Sequence, residues 1–273
     1  MRRTPLSTPF RKIHGAGNDF VLLNGADQDT GRDWHDIAVR LCARRTGIGA
    51  DGLVVSTLIS SAPPVLEVSC FNADGSIATM CGNALRCSAW AAAEDFGFDT
   101  MTLVMAGVEH EATVTREAVA ITAEVGAVDM RVVESVWGGR PFWFDSAHTG
   151  TEHVVAVVND VDGLDAEACG RLMRHHPKLA PLGANVNFVE SIDRQTLKIR
   201  TYERGVEAET LSCGSGAVAA VVIAGRRGLV TAGPVAVHNR AGTPLTVAPH
   251  ADRPAKSYWV AGPVTLAYEG VIS

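Results

Sequence analysis

Two cysteines lie in closely similar motifs, almost half of the 273-residue chain apart. Cys81-Gly82-Asn83-Ala84 and Cys213-Gly214-Ser215-Gly216 each follow a polar segment and precede an alanine-rich stretch of helical character. A cysteine at the start of a helix lies beside unpaired backbone N–H groups at the positive end of the helix dipole, which lowers its pKa. One thiolate base and one thiol acid on opposite faces of a carbon atom could remove a proton from one side and deliver another to the other side.

Three polar segments contain further candidate residues. Asn72 directly follows a strand-like run, where a sheet delivers side chains to a site. Asn18, in a glycine-flanked loop, could offer its amide to a carboxylate or an ammonium group, or could be a turn residue. Arg204 stands beside Glu203 at the end of a strand and offers a planar fork to a carboxylate, although a surface ion pair is the commoner fate of such a dipeptide.

Several other kinds of site are disfavoured by the sequence. Gly47–Gly52 matches G-x-G-x-x-G, but a helix pattern precedes it and a strand follows, the reverse of a dinucleotide site. There is no P-loop and no Cys-x-x-Cys, and Cys81 and Cys87 have no second metal-spaced pair. None of the four lysines lies in a loop suited to pyridoxal phosphate. We therefore expect no cofactor and no metal, and we interpret Cys42, Cys70 and Cys169 as buried structural residues.

Composition narrows the class of protein. With a net charge of −6, the protein lacks the positive electrostatic field that a nucleic-acid or membrane-surface binder needs. A hydrophobic content of 47% excludes a disordered chain. No apolar run reaches the length of a membrane span, and the N-terminal residues lack the apolar core of a signal peptide. We expect a cytoplasmic enzyme with reduced cysteines and a small-molecule substrate, without nucleic-acid or membrane partners.

The elements that must position these residues are mainly strands. Strand-like runs with period-two alternation dominate, which favours an α+β fold over strict βαβ alternation. Four helical patterns cover residues 34–44, 84–95, 164–175 and 216–228. The repeated cysteine motif predicts two related halves, each with a helix that begins just after its cysteine. A boundary within residues 125–145 fits the positions of Gly126, Gly138, Gly139 and Pro141.

These motifs together resemble one known family. HGAGNDF (14–20), FNADGS (71–76), CGNALRC (81–87), GANVNF (183–188) and YERG…ETLSCGSG (202–216) are similar in order and spacing to diaminopimelate epimerase, from about residue 10 to the end. The resemblance implies a cofactor-independent isomerase that interconverts LL- and meso-diaminopimelate for lysine and peptidoglycan synthesis, commonly as a homodimer. It also implies two pseudo-symmetric α+β lobes, each a β-sheet wrapped around a central helix, with the active site in the cleft between them. We expect these lobes at 1–124, with the last strand (about 264–273) returning to it, and at 125–263.

The resemblance also implies roles for individual residues. Cys81 and Cys213 would be the acid/base pair, and His153 and Glu203 would lie near the reacting centre. Backbone groups at Gly82-Asn83 and Gly214-Ser215 would hold the reacting carboxylate. The remaining substrate-binding residues implied are Asn18, Asn72, Thr151, Asn185 and Arg204, with Arg204 on the distal carboxylate.

Three departures from the family pattern surround the substrate. Thr151 stands where many members have asparagine, the 205–210 segment is one residue longer than the commonest form, and Asn187 stands where glycine is frequent. Thr151 keeps open a related two-cysteine racemase acting on proline, hydroxyproline or histidine, whereas Arg204 and the asparagines favour a substrate with a second charged head group. A binding protein without catalysis is a third interpretation, against which both cysteines argue. A thiol–disulfide oxidoreductase is disfavoured because Cys-x-x-Cys is absent.

Overall fold

The computed structural model describes residues 8–25, 33–137 and 139–272. It divides into two compact units, one up to Ile121 together with the segment from Pro263, and the other Thr122–Gly262. Gly138, within the expected boundary, lies outside the described residues. None of the helices in the described ranges is long and apolar enough to span a membrane.

All four predicted helices are confirmed, with ends that differ by a few residues from the expected ones. They are α1 Trp34–Cys42, α2 Gly82–Phe96, α3 Ala166–Arg174 and α4 Gly214–Arg226. Asp33 caps α1 by accepting from the N–H groups of His35 and Asp36, and Asp165 caps α3 by accepting from Ala168. The α2 and α4 helices instead begin directly after Cys81 and Cys213.

The first unit is a mixed sheet that packs around α2. Its strands run in the order β18-β1-β2-β3-β4-β6-β7-β8, with β5 also paired to β4; β2–β3 and β4–β6 are parallel and the other neighbours antiparallel. The strands are β1 Thr8–Gly15, β2 Asn18–Asn24, β3 Gly52–Ser61, β4 Pro64–Asn72, β5 Ile77–Ala78, β6 Thr100–Met105, β7 Val108–Val114, β8 Val119–Glu124 and β18 Val264–Ile272. The α1 helix packs its apolar face on β2, β3 and β4.

The second unit repeats this arrangement strand by strand around α4. The order is β9-β10-β11-β12-β13-β15-β16-β17, with β14 paired to β13, and again only the third and fifth neighbour pairs, β11–β12 and β13–β15, are parallel. The strands are β9 Val128–Trp137, β10 Arg140–His148, β11 Glu152–Val157, β12 Asn185–Asp193, β13 Thr196–Glu203, β14 Ala208–Thr210, β15 Val235–His238, β16 Leu245–Pro249 and β17 Ser257–Gly262. The predicted α+β fold with two related halves is therefore confirmed.

Burial explains why α2 and α4 occupy the centres of their sheets. Every residue of α4 from Gly214 to Ala224 is buried, and α2 is buried over almost its whole first three turns. Small side chains, mainly alanine, allow strands to approach such a helix from several directions. The α2 helix contacts strands β1–β4, β6, β7 and β18, and α4 contacts β10–β13, β16 and β17.

The expected boundary segment proves to be folded. Residues 128–137 and 140–148 form the antiparallel strands β9 and β10, and Gly139 adopts a positive φ of 76° between them. Gly139 and Pro141 therefore belong to a hairpin. The glycine-flanked loop expected around Asn18 is limited to Ala16 and Gly17, because Gly15 ends β1 and Asn18 begins β2.

Candidate active site

Each cysteine motif places its sulfur at the start of a central helix. Cys81 has an extended backbone (φ −145°, ψ 98°) and its carbonyl accepts the Leu85 N–H at 3.0 Å; Cys213 is the same (φ −124°, ψ 110°), with Ala217 as its donor. Within the described chain, neither side chain caps its own helix. The first-turn N–H groups therefore remain available to an anion beside the sulfur. Both cysteines are partly exposed.

Cys81 lies beside a network of side-chain amides. Asn18 Oδ1 accepts from Asn83 Nδ2 at 3.1 Å and lies 4.0 Å from the Cys81 sulfur. Asn18 Nδ2 donates to Asp51 Oδ2 at 3.0 Å, which fixes the orientation of the amide. The predicted residues Asn18, Asn83 and Cys81 are thus brought together by β2 and the first turn of α2.

A buried cation completes this network. Arg86 is fully buried and donates from Nη2 to Asn83 Oδ1, while its Nε and Nη1 find no hydrogen-bond partner among the described residues. Burial lowers the pKa of Arg86, and negative charge on Cys87 and Cys81 acts in the opposite direction. The sequence analysis did not single out Arg86, although it lies in the CGNALRC motif, three residues after Asn83 on the same helix face.

Asn72 and Cys70 lie at the end of β4. Asn72 Nδ2 donates to Ser76 Oγ at 2.9 Å, and Ser76 donates to Asp74, so residues 74–76 form a turn. Cys70 is buried, as predicted, but it is more than a packing residue. Its hydrogen bond with Cys81 and its burial raise the pKa of the Cys70 thiol well above the ordinary value.

Cys213 lies at the end of a chain of hydrogen bonds. The Cys213 sulfur is 3.6 Å from Ser215 Oγ, which is 3.0 Å from His153 Nε2. His153 Nδ1 is 3.1 Å from Asn187 Nδ2, and Asn187 Oδ1 accepts from Thr201 Oγ1 at 2.9 Å. Cys213, Ser215 and His153 were predicted site residues; Asn187 stood out in the sequence only as a departure from the family pattern, and Thr201 was not predicted.

His153 is neutral in this setting. The ring is fully buried, and burial lowers its pKa to about 3; positive charge on Arg204 and His148 adds to the effect. A ring with that pKa does not exchange a proton with a substrate near neutral pH. Its observed contacts make it a link between Asn187 and Ser215.

Arg204 is held by the polar residues around it. Its Nη2 donates to Thr151 Oγ1 at 2.6 Å, its Nη1 donates to the Gly183 carbonyl at 3.4 Å, and its backbone N–H donates to Asn185 Oδ1 at 2.8 Å. Asn185 in turn donates to the carbonyl of Glu152. The structure therefore places Thr151, Asn185 and Arg204 in one cluster.

Glu203 closes the strand before this cluster. Its Oε2 accepts from Thr210 Oγ1 at 2.9 Å, so β13 and β14 hold it between them. Among the described residues, no three His, Cys, Asp or Glu side chains are grouped so that they could hold a metal ion. Each unit presents a sulfur atom, helix N–H groups and hydrogen-bonding side chains.

Comparison with protein families gives one match over most of the chain. The family model described as diaminopimelate epimerase matches residues 10–131 and 146–265. Among curated relatives, the diaminopimelate epimerase of Aquifex aeolicus (strain VF5) is 34% identical over 283 residues, covering 97% of each chain. That of Chlorobaculum tepidum is 36% identical over 269 residues, covering 96% of this chain and all of the relative.

Solved structures share the fold at low sequence identity. A hydroxyproline epimerase from Agrobacterium vitis with bound trans-4-hydroxy-L-proline superposes with a TM-score of 0.70 at 16% identity, covering all of this chain and 92% of that one. A PhzF-family protein from Enterococcus faecalis gives 0.72 at 13% identity, with 98% and 100% covered. A probable proline racemase from Agrobacterium radiobacter K84 gives 0.74 at 14% identity, with 97% and 93% covered.

Proposed function

Because the chain belongs to the diaminopimelate epimerase family, we propose that it interconverts LL- and meso-diaminopimelate with Cys81 and Cys213 as the acid/base pair. Membership of the family makes the chain an isomerase of the amino-acid epimerase class. The observation that carries the two-cysteine mechanism is the repetition of one device in both units. Each central helix begins directly after a partly exposed cysteine.

The chemistry follows from the weakness of the acid involved. The α-proton of an amino acid leaves only if negative charge on the resulting carbanion is stabilised. The N–H groups at Gly82-Asn83 and Gly214-Ser215 would hold the α-carboxylate, onto which that charge spreads. One thiolate takes the proton, and the thiol of the other cysteine delivers a proton to the opposite face. The ordinary pKa of cysteine, about 8.5, needs only a modest shift for this role.

Recognition of the second head group is proposed for the Arg204 cluster. Arg204 has a planar guanidinium that suits a carboxylate, and Thr151 and Gly183 hold it in place. Asn185 acts through Arg204, because its Oδ1 accepts from the Arg204 backbone. Asn18 and Asn72 would supply the remaining polar contacts to the substrate, and Glu203 and His153 would support the reacting centre.

We further propose the cellular setting that the family resemblance implies. The enzyme would work as a homodimer in the cytoplasm, without a cofactor, and would supply an isomer for lysine and peptidoglycan synthesis. Sedimentation equilibrium of the full chain tests the homodimer, for which the expected mass is twice 28.8 kDa. A single monomeric species at all concentrations would contradict it.

The test of function is proton NMR of the freshly reduced protein with LL-diaminopimelate in D₂O, without added cofactor. Deuterium should enter one α-position while the meso isomer appears, since a proton from solvent replaces the one removed. A heat-inactivated sample controls for uncatalysed exchange. Absence of both exchange and meso isomer with active, folded protein would contradict the proposed substrate.

A second candidate is a related two-cysteine racemase acting on proline, hydroxyproline or histidine. The observation that favours it is Thr151, whose hydroxyl contacts Arg204 where many family members carry an asparagine amide. The same NMR experiment with these three amino acids separates the two functions. Deuterium exchange with one of these amino acids, and none with diaminopimelate, would identify that amino acid as the substrate and leave the two-cysteine mechanism in place.

A further inference from the structure

Behind Cys213, four buried side chains form a continuous hydrogen-bonded chain that ends at the sulfur. Thr201, Asn187, His153 and Ser215 are each at most 7% exposed. They come from three neighbouring strands, β11, β12 and β13, and from the first turn of α4. Each pair in the chain is within hydrogen-bond distance, and the final step is the 3.6 Å contact between Ser215 Oγ and the Cys213 sulfur.

The direction of the chain is fixed at Asn187. Its Nδ2 lies 3.0 Å from the carbonyl of Val154, a group that only accepts hydrogen bonds, so this atom must be the amide nitrogen. One of its two protons goes to Val154 and the other points at His153 Nδ1. Its oxygen accepts the hydroxyl proton of Thr201, which satisfies the remaining side of the amide.

The tautomer of His153 follows from that donor. Because Asn187 donates to Nδ1, this nitrogen must be the unprotonated one, and the neutral ring carries its proton on Nε2. Burial and the positive charges of Arg204 and His148 keep the ring neutral. Nε2–H therefore donates to Ser215 Oγ. The Ser215 hydroxyl still has its own proton, which it can donate to a Cys213 thiolate 3.6 Å away, because a thiolate only accepts hydrogen bonds.

We propose that Asn187 and Thr201 are positioning residues that fix the direction of this chain, so that Ser215 donates to Cys213 and stabilises its thiolate. The inference rests on the proposed function, in which Cys213 exchanges a proton with the substrate. No proton travels along the chain. Its members only orient one another, and the last hydroxyl stabilises negative charge on sulfur through a charge-assisted hydrogen bond.

The other unit provides an internal comparison. The strand pairings match when counted from the parallel pairs, Phe20 with Gly52 and His153 with Asn185. By this register His153, Asn187 and Thr201 correspond to Phe20, Val54 and Cys70. The first unit therefore has no amide or imidazole at these positions, and Cys81 is served by Asn18, Arg86 and Cys70 instead. The chain behind Cys213 is not a requirement of the shared fold.

Gly216 leaves the space that the Asn187 side chain occupies at the start of α4. A Cβ at Gly216 would lie 2.6 Å from Asn187 Oδ1 and 3.2 Å from the Cys213 sulfur. The corresponding position in the other motif is Ala84, which accommodates its methyl group within a fully buried site. The glycine thus allows Asn187 to approach the start of α4 closely.

The tautomer is tested directly by ¹⁵N NMR of protein labelled in its histidines, without substrate. The His153 signals are assigned as those missing from His153→Gln. We expect a neutral ring protonated on Nε2 throughout the neutral range, because Asn187 donates to Nδ1. A ring protonated on Nδ1, or one that titrates near its ordinary pKa, would overturn the proposal whether or not diaminopimelate is the substrate.

The effect on sulfur is tested by alkylation with iodoacetamide near neutral pH, followed separately at Cys81 and Cys213 by mass spectrometry. Asn187→Leu should slow alkylation of Cys213 about tenfold and Thr201→Val about threefold, while Cys81 changes less than about twofold, because only the thiolate reacts. Thr201→Ser keeps the hydroxyl and should react like the wild type. An unchanged rate at Cys213 in folded Asn187→Leu, or an equal slowing of both cysteines, would overturn the proposal.

Kinetics separate this inference from the function on which it rests. Both substitutions should lower kcat more than they raise KM, since neither residue touches the substrate. Alkylation and NMR need no substrate, so a failed diaminopimelate assay leaves their outcome meaningful. Conversely, Thr201→Val and Asn187→Leu variants could remain active and show an unchanged rate of alkylation at Cys213. That result would refute the proposed role of the hydrogen-bonded chain and leave the epimerase function standing.

Discussion

At the scale of single residues, the two sulfur atoms give the sharpest expectation. Cys81→Ala and Cys213→Ala should each lower kcat by at least about 10³-fold, because each removes the proton carrier for one face. The measurement is conversion of LL-diaminopimelate to the meso isomer by NMR. Cys169→Ala, on the buried face of α3, is the matched control and should keep kcat within about twofold. Near wild-type turnover in either catalytic variant would refute a two-base mechanism.

Arg86 separates stability from activity. It is a fully buried cation with two donor groups that lack partners among the described residues, so its burial costs free energy. Arg86→Met should leave the free energy of unfolding unchanged or raise it by about 1 kcal/mol. The same change should lower kcat/KM about tenfold, because Asn83 loses its hydrogen-bond donor and Cys81 loses a nearby positive charge.

Urea unfolding and steady-state kinetics of the same preparation check this expectation. Arg86→Lys is the control that keeps the charge and loses the fork. A variant that is both less stable and fully active would show that Arg86 serves packing alone.

Arg204 tests recognition of the second head group. Arg204→Lys keeps the charge and loses the planar fork that contacts Thr151 and Gly183, so kcat/KM for diaminopimelate should fall about tenfold or more. Thr151→Val removes only the hydroxyl that holds the guanidinium and should have a smaller effect in the same direction. Steady-state kinetics of both variants measure this. If Arg204→Lys left kcat and KM unaltered, Arg204 would not belong to the site.

At the scale of elements, the short hairpin of β13 and β14 depends on a buried ion pair. Arg200 binds Glu209 with two hydrogen bonds of 2.7 and 2.6 Å, and both side chains are at most 15% exposed. Arg200 also donates to the carbonyls of Val161 and Leu164, which ties the hairpin to the segment before α3. This pair thus helps to hold the turn that carries Arg204.

Glu209→Gln should therefore destabilise the protein by about 3 kcal/mol, because it leaves the Arg200 charge uncompensated. It should also raise KM for diaminopimelate, since the Arg204 turn loses its anchor. Urea unfolding gives the first quantity and kinetics the second. The double variant Arg200→Met with Glu209→Leu should regain stability. If neither the single nor the double variant differed from the wild type in stability, the pair would have no structural role.

The sequence predicted helices better than the strands at the edges of the sheets. Helices α2 and α4 were predictable because a Cys-Gly start signal precedes a long run of small apolar residues. Strands β9 and β10 were not predicted, because Gly126, Gly139 and Pro141 were interpreted as signs of a boundary, whereas Gly139 in fact lies in a hairpin turn. Gly15 was interpreted as a loop residue. It is the last residue of β1 and pairs with Asn18 of β2, and a Cβ at this position would lie 3.3 Å from Arg86 and 3.4 Å from Asn83.

The candidate site divides in the same way. Residues at the helix starts of the cysteine motifs could be named from the sequence, because a helix start imposes its chemistry locally, whereas Arg86, one turn further along α2, was not. Asn187 and Thr201 could not, because their role depends on register: they are opposite each other in β12–β13, and Asn187 reaches His153 across the parallel pair β11–β12. Strand register between distant segments is a tertiary property that local patterns do not specify.

At the scale of the whole molecule, one topology is used twice with different interiors. Both units share strand order and direction, and each places a cysteine at the start of its central helix. The packing of each central helix relies mainly on small side chains, and α2 also buries Leu85 and Arg86 completely. The residues behind the helix start can therefore differ, and they do: an amide and guanidinium network in the first unit, and an amide, imidazole and hydroxyl chain in the second.

This difference affects the pH dependence of folding through His153. The folded-state pKa of about 3 lies below the ordinary value of 6.5, so between these values the unfolded chain binds a proton that the folded chain does not. The contribution of His153 to the free energy of unfolding is complete above pH 6.5 and falls as the pH decreases towards 3. The fall should approach about 1.4 kcal/mol per pH unit within that window.

Urea unfolding of the wild type and of His153→Gln at several pH values isolates this contribution, because other titrating groups are common to both chains. Glutamine can accept from Asn187 and donate to Ser215, yet it does not titrate. The wild type should therefore lose stability more steeply than the variant as the pH falls below 6.5, and the two curves should run parallel above it. Parallel curves throughout the acid range would show that the ring takes up its proton without unfolding, and hence that the buried chain behind Cys213 does not hold His153 neutral.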